Sequence, residues 1–139
     1  MAAESDNTIF WFTYTGEEDI PREATHIIVG ESCSVIFAWA FAHHPNIVEV
    51  ICHDRVVKIE EFAFYYCHSL RRVIMPGLKV LENDAFLMCR ALADVECGKL
   101  EFIGARAFAR CSSLRSINLS SARIIKWGAV SLGAIFSQM

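Results

Sequence analysis

Three stretches of the chain are written on one template. Ala63-Phe64-Tyr65-Tyr66-Cys67-His68-Ser69-Leu70, Ala85-Phe86-Leu87-Met88-Cys89-Arg90-Ala91-Leu92 and Ala107-Phe108-Ala109-Arg110-Cys111-Ser112-Ser113-Leu114 all read Ala-Phe-x-x-Cys-x-x-Leu. Their cysteines are spaced 22 residues apart. A fixed period of this length is the signature of a solenoid, in which each unit buries its apolar face only against its neighbours.

The repeat extends both ways. Thr25-His26-Ile27-Ile28-Val29 through Ala40-Phe41 forms a first coil, and Val48 through Ala63-Phe64 a second. A third runs from Arg72 to Ala85-Phe86, a fourth from Asp94 to Ala107-Phe108 and a fifth from Ser116 to Ala129-Val130. The later coils lose one residue after the strand, where Pro76-Gly77 replaces His53-Asp54-Arg55. Val50/Cys52, Val73/Met75, Val95/Cys97 and Ile117/Leu119 alternate with period two, so each pair points inward from a short strand. Val56/Ile59, Leu78/Leu81 and Leu100/Ile103 return to the core. Phe, Cys and Leu then recur at spacings of three, which predicts one or two turns of helix. The expected fold is an α/β solenoid of about five coils, each a short parallel strand plus a short helix or helical turn.

The string Leu70-Arg71-Arg72-Val73-Ile74-Met75-Pro76, followed by Leu78, Leu81 and Ala85-Phe86, resembles the BspA-type leucine-rich repeat. The resemblance covers about residues 24 to 130. It implies a β/α solenoid used for protein recognition or adhesion, with no family active site. The ends depart from the pattern: His44 stands in the cysteine column of the first coil, and Val130 and Gly133 replace Phe and Cys in the fifth.

The expected organisation is a frayed polar start over 1–8, a capping strand and turn over 9–23, the solenoid over 24–130, and a cap or truncated repeat over 131–139. Ile9 to Thr15 is β-branched and aromatic and reads as a strand. The uncharged tail suits truncation or an oligomer interface.

Bulk properties narrow the function classes. The net charge is -3 with both signs interspersed, which leaves no basic footprint for nucleic acid. No uncharged run reaches the roughly 18 residues of a spanning helix, and the start lacks the layout of a signal peptide. These features predict a soluble protein of the cytoplasm or another intracellular compartment. The six cysteines read as packed free thiols rather than a disulfide framework. His43, His44, His53, Cys52, Cys67 and His68 lack the close paired spacing of a zinc site. No nucleophile elbow, phosphate loop or metalloprotease motif is present, so neither enzyme activity nor a cofactor is expected. Cys52 beside His53 is the one arrangement that could make a reactive thiol, and the repeat points Cys52 inward.

The outward strand positions form two columns: His26, Glu49, Arg72, Asp94 and Ser116, then Ile28, Ile51, Ile74, Glu96 and Asn118. One reading is a solvated salt-bridge ladder along the charged column; the isoleucine column is core if the N-terminal segment covers it. The other is a partner-binding face, in which Arg72 offers its planar donor fork to a partner carboxylate. The expected function is a non-catalytic interaction module presenting this face to a protein. The alternative is an assembly element that stacks end to end on another solenoid or itself.

Overall fold

A computed structural model describes residues 8–130 of the chain. The expected tail segment 131–139 lies outside the described residues, as does all but the last residue of the expected frayed start.

The inward alternation produces a five-stranded parallel sheet. Its strands are β1 (Trp11–Tyr14), β2 (His26–Val29), β4 (Glu49–Ile51), β6 (Arg72–Ile74) and β8 (Asp94–Glu96), in that order. Ile27, Val50 and Val73 align across it and are fully buried, with Val95 half-buried at the end of the row. β1 joins as a further parallel strand, with Trp11 opposite His26 and Tyr14 opposite Val29.

The sequence did not point to a second sheet. β3 (Val35–Ile36), β5 (Lys58–Ile59), β7 (Val80–Leu81), β9 (Phe102–Ile103) and β10 (Ile124–Ile125) are two-residue strands that also pair in parallel. Ile36, Ile59, Leu81 and Ile103 fill the interior from this side.

The third side corrects the expected helix, because no helix occurs among the described residues. In each of the first four coils the chain makes two successive four-residue turns. Glu60 accepts from Ala63 N–H, and Phe64 from Cys67 N–H. The third residue of each turn is left-handed: Phe62 has φ 59° and Tyr66 φ 58°. Trp39, His43, Asp84, Met88, Arg106 and Arg110 occupy the same places with φ from 56° to 69°. A positive φ at that place is the geometry of a type II turn, which ordinarily selects Gly or Asn. The reason for the turns lies in where the backbone donors go. Phe64 N–H donates to Ala85 O and Tyr66 N–H to Leu87 O, at 2.8 and 2.9 Å. Phe41, Phe86 and Phe108 repeat the bond to Ala63, Ala107 and Ala129. A helix would spend these donors within its own segment, whereas here they form a third inter-coil ladder.

The core follows the columns. Phe41, Phe64, Phe86 and Phe108 stack with centroids 4.9, 4.7 and 5.2 Å apart and planes within 8°. Tyr14 closes the N-terminal end of the stack, its ring 4.8 Å from Phe41. Each such pair contributes about 0.5–1.5 kcal/mol beyond the area it buries. Beside the rings, the thiols of Cys67, Cys89 and Cys111 donate to the carbonyls of Phe41, Phe64 and Phe86 at 2.9, 3.0 and 3.1 Å.

Candidate interaction surface

The outer face of the larger sheet holds the two columns expected to meet a partner. Backbone register aligns His26, Glu49, Arg72 and Asp94 in one, and Ile28, Ile51, Ile74 and Glu96 in the other. β1 extends the columns with Trp11 and Thr13. No described element packs over this face: Trp11 is 50% and Ile28 42% exposed. Residues 11–14 of the N-terminal segment therefore lengthen the sheet instead of covering the isoleucines. Trp11 leans on the His26 ring at 4.8 Å.

Ser116 and Asn118 stand apart from the columns. Neither lies in a strand, and the larger sheet ends at β8. Asn118 turns back on its own loop, where its Oδ1 accepts from the backbone N–H and the hydroxyl of Ser120. Ser116 still borders the hollow lined by Arg72, Asp94 and Glu96. The parallel ladder expected of the fifth coil is thus replaced by a locally bonded turn.

Arg72 also behaves differently from the sequence expectation. Its guanidinium is held between Glu49, at 3.4 Å, and Glu96. The bond to Glu96 is the main reason its pKa rises, and the donor fork is already occupied by the protein's own carboxylates. Three carboxylates, Glu49, Asp94 and Glu96, thus share the face with one guanidinium.

The cysteines pack in or beside the core. All six are free thiols, five of them buried and Cys97 half-buried. Burial pushes the Cys52 thiol up to about 12 and that of Cys97 to about 11. Burial likewise raises Cys89, and the contact with Cys89 raises Cys111. A thiol raised in this way carries little thiolate, the form that attacks and binds metal. Next to Cys52, His53 is committed elsewhere, its Nε2 bonding Gly30 O and its Nδ1 accepting from Arg55 N–H. His44, in the cysteine column, likewise bonds Pro21 O at 2.8 Å and accepts from Asn46 N–H. It does for the first coil what the thiols do for the later ones. Among the described residues no cluster of His, Cys, Asp or Glu could hold a metal ion, and no helix is long and apolar enough to cross a membrane.

Sequence reasoning passed over a second surface, on the turn side of the first two coils. Trp39 stacks on Phe62 with centroids 4.5 Å apart and planes 8° apart. Tyr65 meets both edge-on, and His43 meets Tyr65 and Tyr66 edge-on in turn. The signal was present in the aromatic run around Ala63-Phe64, but a helical reading scattered these side chains around a cylinder.

The comparisons with known proteins agree with this architecture. Six copies of the BspA type leucine rich repeat region match residues 22–130. No curated protein matches the chain. A solved structure of a leucine-rich repeat protein from Bacteroides ovatus superposes with a TM-score of 0.60 at 20% identity. The match covers 81% of this chain and 40% of that one, so the likeness is one of fold. With its repeats matched from end to end of the solenoid, the chain belongs to the BspA-type leucine-rich repeat family.

Proposed function

We propose that the chain is a non-catalytic protein-interaction module that binds through the outer face of its larger sheet. The observation that carries this reading is the open pair of outward columns from Trp11 and Thr13 to Asp94 and Glu96. Burial fixes the inward columns, while the outward ones change from aromatic and aliphatic to charged along the axis. Apolar residues left open on a sheet face mark interfaces in many proteins. The surplus of carboxylates around Arg72 suits a partner with an apolar segment beside a basic one, since complementary charge steers encounter and fixes register. This replaces a partner carboxylate as the group Arg72 would meet. The free, buried thiols suit a reducing compartment.

The test compares two double variants in capture experiments with the intact chain. Arg72→Glu with Ile74→Asp alters the sheet face, and Arg90→Glu with Arg110→Glu alters the turn side. Both should keep the wild-type melting temperature within a few degrees. The sheet-face variant alone should lose the captured protein. Retention by that variant, with loss in the other, would move the interface to the turn side.

One observation favours the assembly reading as well. Among the described residues β1 is an edge strand of four residues with no Pro or Lys to blunt it; Trp11 is exposed on it and Ile9 and Phe10 just before it. Such an edge is a template for strand pairing. Molar mass measured across concentration separates the readings: a constant monomer mass removes the assembly reading, and a mass that rises with concentration supports it.

A further inference from the structure

The turn side of the first two coils carries aromatic side chains where the fold does not require them. Trp39, His43, Phe62 and Tyr66 all sit at left-handed φ, between 58° and 65°. This conformation costs an L-residue with a bulky side chain roughly 1–2 kcal/mol relative to its relaxed state. The next two coils adopt the same backbone with Asp84, Met88, Arg106 and Arg110. There Asp84 accepts two bonds from the Arg106 guanidinium, at 2.7 and 3.0 Å, and Gly128 takes the place in the last turn. The backbone therefore tolerates charged, aliphatic and glycine residues, and aromatic rings at these places answer some other demand.

The arrangement of the rings indicates what that demand is. Trp39 is 52% and Tyr66 40% exposed, and Tyr65 and Phe62 are half-buried between them. The rings meet at right angles as well as in stacks: Tyr65 is turned 90° from Trp39 and 85° from Phe62. They form a ridged surface rather than a flat plate. None of the four takes part in an ion pair or a cation contact among the described residues. Among the described residues the Trp39 indole N–H and the Tyr65 and Tyr66 hydroxyls make no hydrogen bond, and Trp39 and Tyr66 are exposed.

Ridged aromatic rings with outward donors and no formal charge fit one class of protein segment. A proline-rich stretch in the polyproline II conformation offers pyrrolidine rings that pack between aromatic side chains. Its backbone carbonyls are unpaired and accept from indole and phenol donors. Its conformation is set before binding, so a shallow surface can hold it at little cost in ordering. The four rings themselves offer a charged peptide no counter-charge, and the carboxylates beside them, Glu60 and Glu61, would repel an acidic one. A second copy of the chain would bring the same donors and few acceptors.

We infer that the aromatic turn side of the first two coils, around Trp39, Phe62, Tyr65 and Tyr66, is a docking surface for a proline-rich protein segment. This surface is separate from the sheet face, and either can fail without the other.

The probe is an acetylated, amidated decaproline peptide, titrated into the 15N-labelled intact chain. The Trp39 indole N–H and the amides of Phe62, Tyr65 and Tyr66 should shift saturably, while a Gly-Ser peptide of equal length leaves them in place. Tyr66→Ser and Trp39→Ala should each weaken the response by about tenfold, as loss of an interface hot spot does. Far-UV circular dichroism of both variants should match wild type. If one variant fails to fold, the other and the wild-type titration still decide the matter. The inference is overturned if decaproline produces no saturable shift at these residues, or if the shifts fall on the sheet face. It is also overturned if cellohexaose produces the same shifts, which would make this a sugar site, or if dilution alone does, which would make it a self-contact.

Discussion

The interior and exterior columns of this solenoid share one backbone and one period, and they obey different rules. Inside, four phenylalanines stack at nearly constant spacing, and three cysteines donate to three phenylalanine carbonyls in the same geometry. Outside, the aligned sheet positions run from His26 through Glu49 and Arg72 to Asp94, with no residue type repeated across charge. Translation along the axis accounts for both. It brings each side chain onto its own copy, so an interior position must suit itself, while an exterior position must only avoid repelling its neighbour. Glu49 and Glu96 flanking Arg72 satisfy that weaker condition.

The largest effect should come from breaking an interior column. Phe86→Ala removes a ring packed between Phe64 and Phe108 and should destabilise the chain by about 3–5 kcal/mol in urea unfolding. A loss below about 1 kcal/mol would show that the stack is not the spine of the core.

A smaller loss should follow where two coils touch through backbone. A Cβ on Gly77 would lie 1.8 Å from the Asp54 carbonyl oxygen, so Gly77→Ala must push the second and third coils apart. About 1–3 kcal/mol is expected for this overpacking. An unchanged melting temperature would show that the tight turn after Pro76 can open freely.

His44 sharpens the comparison, because it is an interior position filled by a titratable ring. Burial holds its pKa below the ordinary 6.5, and the nearby Arg22 cation adds to this, against an opposing effect of the bond to Pro21 O. The unfolded chain therefore binds the proton more readily than the folded one. The stabilisation from neutral His44 is present above about pH 6.5 and is lost as pH falls through that value toward the lower folded pKa. His44→Cys, which restores the residue of the other coils, should flatten the melting-temperature profile between about pH 7.5 and about pH 5.5 relative to wild type. Parallel profiles would remove His44 as the cause.

The smallest effect is expected outside. Arg72→Ala deletes an exposed ion-pair network, which solvent screens, and should leave the melting temperature close to that of wild type. A marked fall would mean that the sheet face is part of the folding core and not a free surface.

The sequence made some of these columns legible and hid others, for physical reasons. Strand alternation identifies inward and outward residues without ambiguity, so Ile27/Val50/Val73 and His26/Glu49/Arg72/Asp94 could be aligned by eye and the pairing register agrees. The turn side was misread because Phe64, Cys67 and Leu70 recur every three residues, a spacing that suits a helix and a series of three-residue advances equally well. The usual marker of the second option, Gly or Asn at left-handed positions, is replaced by Trp39, Phe62, Tyr66 and others. The smaller sheet was hidden because two residues such as Lys58–Ile59 are too few to show a period. The occupied state of Arg72 was hidden for another reason: Glu96 lies one column over, and only the side-chain conformation brings it to the guanidinium. The aromatic turn surface depends on the turn geometry and could not be assembled until that geometry was known.

The central claim is that the coils are joined on three sides by backbone ladders, which leaves side chains alone to decide what each outer face does. Scalar couplings across hydrogen bonds, from amide nitrogen to acceptor carbonyl carbon, test it most directly on the side where sequence and structure part company. The account predicts couplings from Phe64 N to the Ala85 carbonyl, from Tyr66 N to that of Leu87 and from Phe86 N to that of Ala107. Couplings from Phe64 N to the Glu60 carbonyl and from Phe86 N to the Glu82 carbonyl, the bonds of a helix, would contradict it.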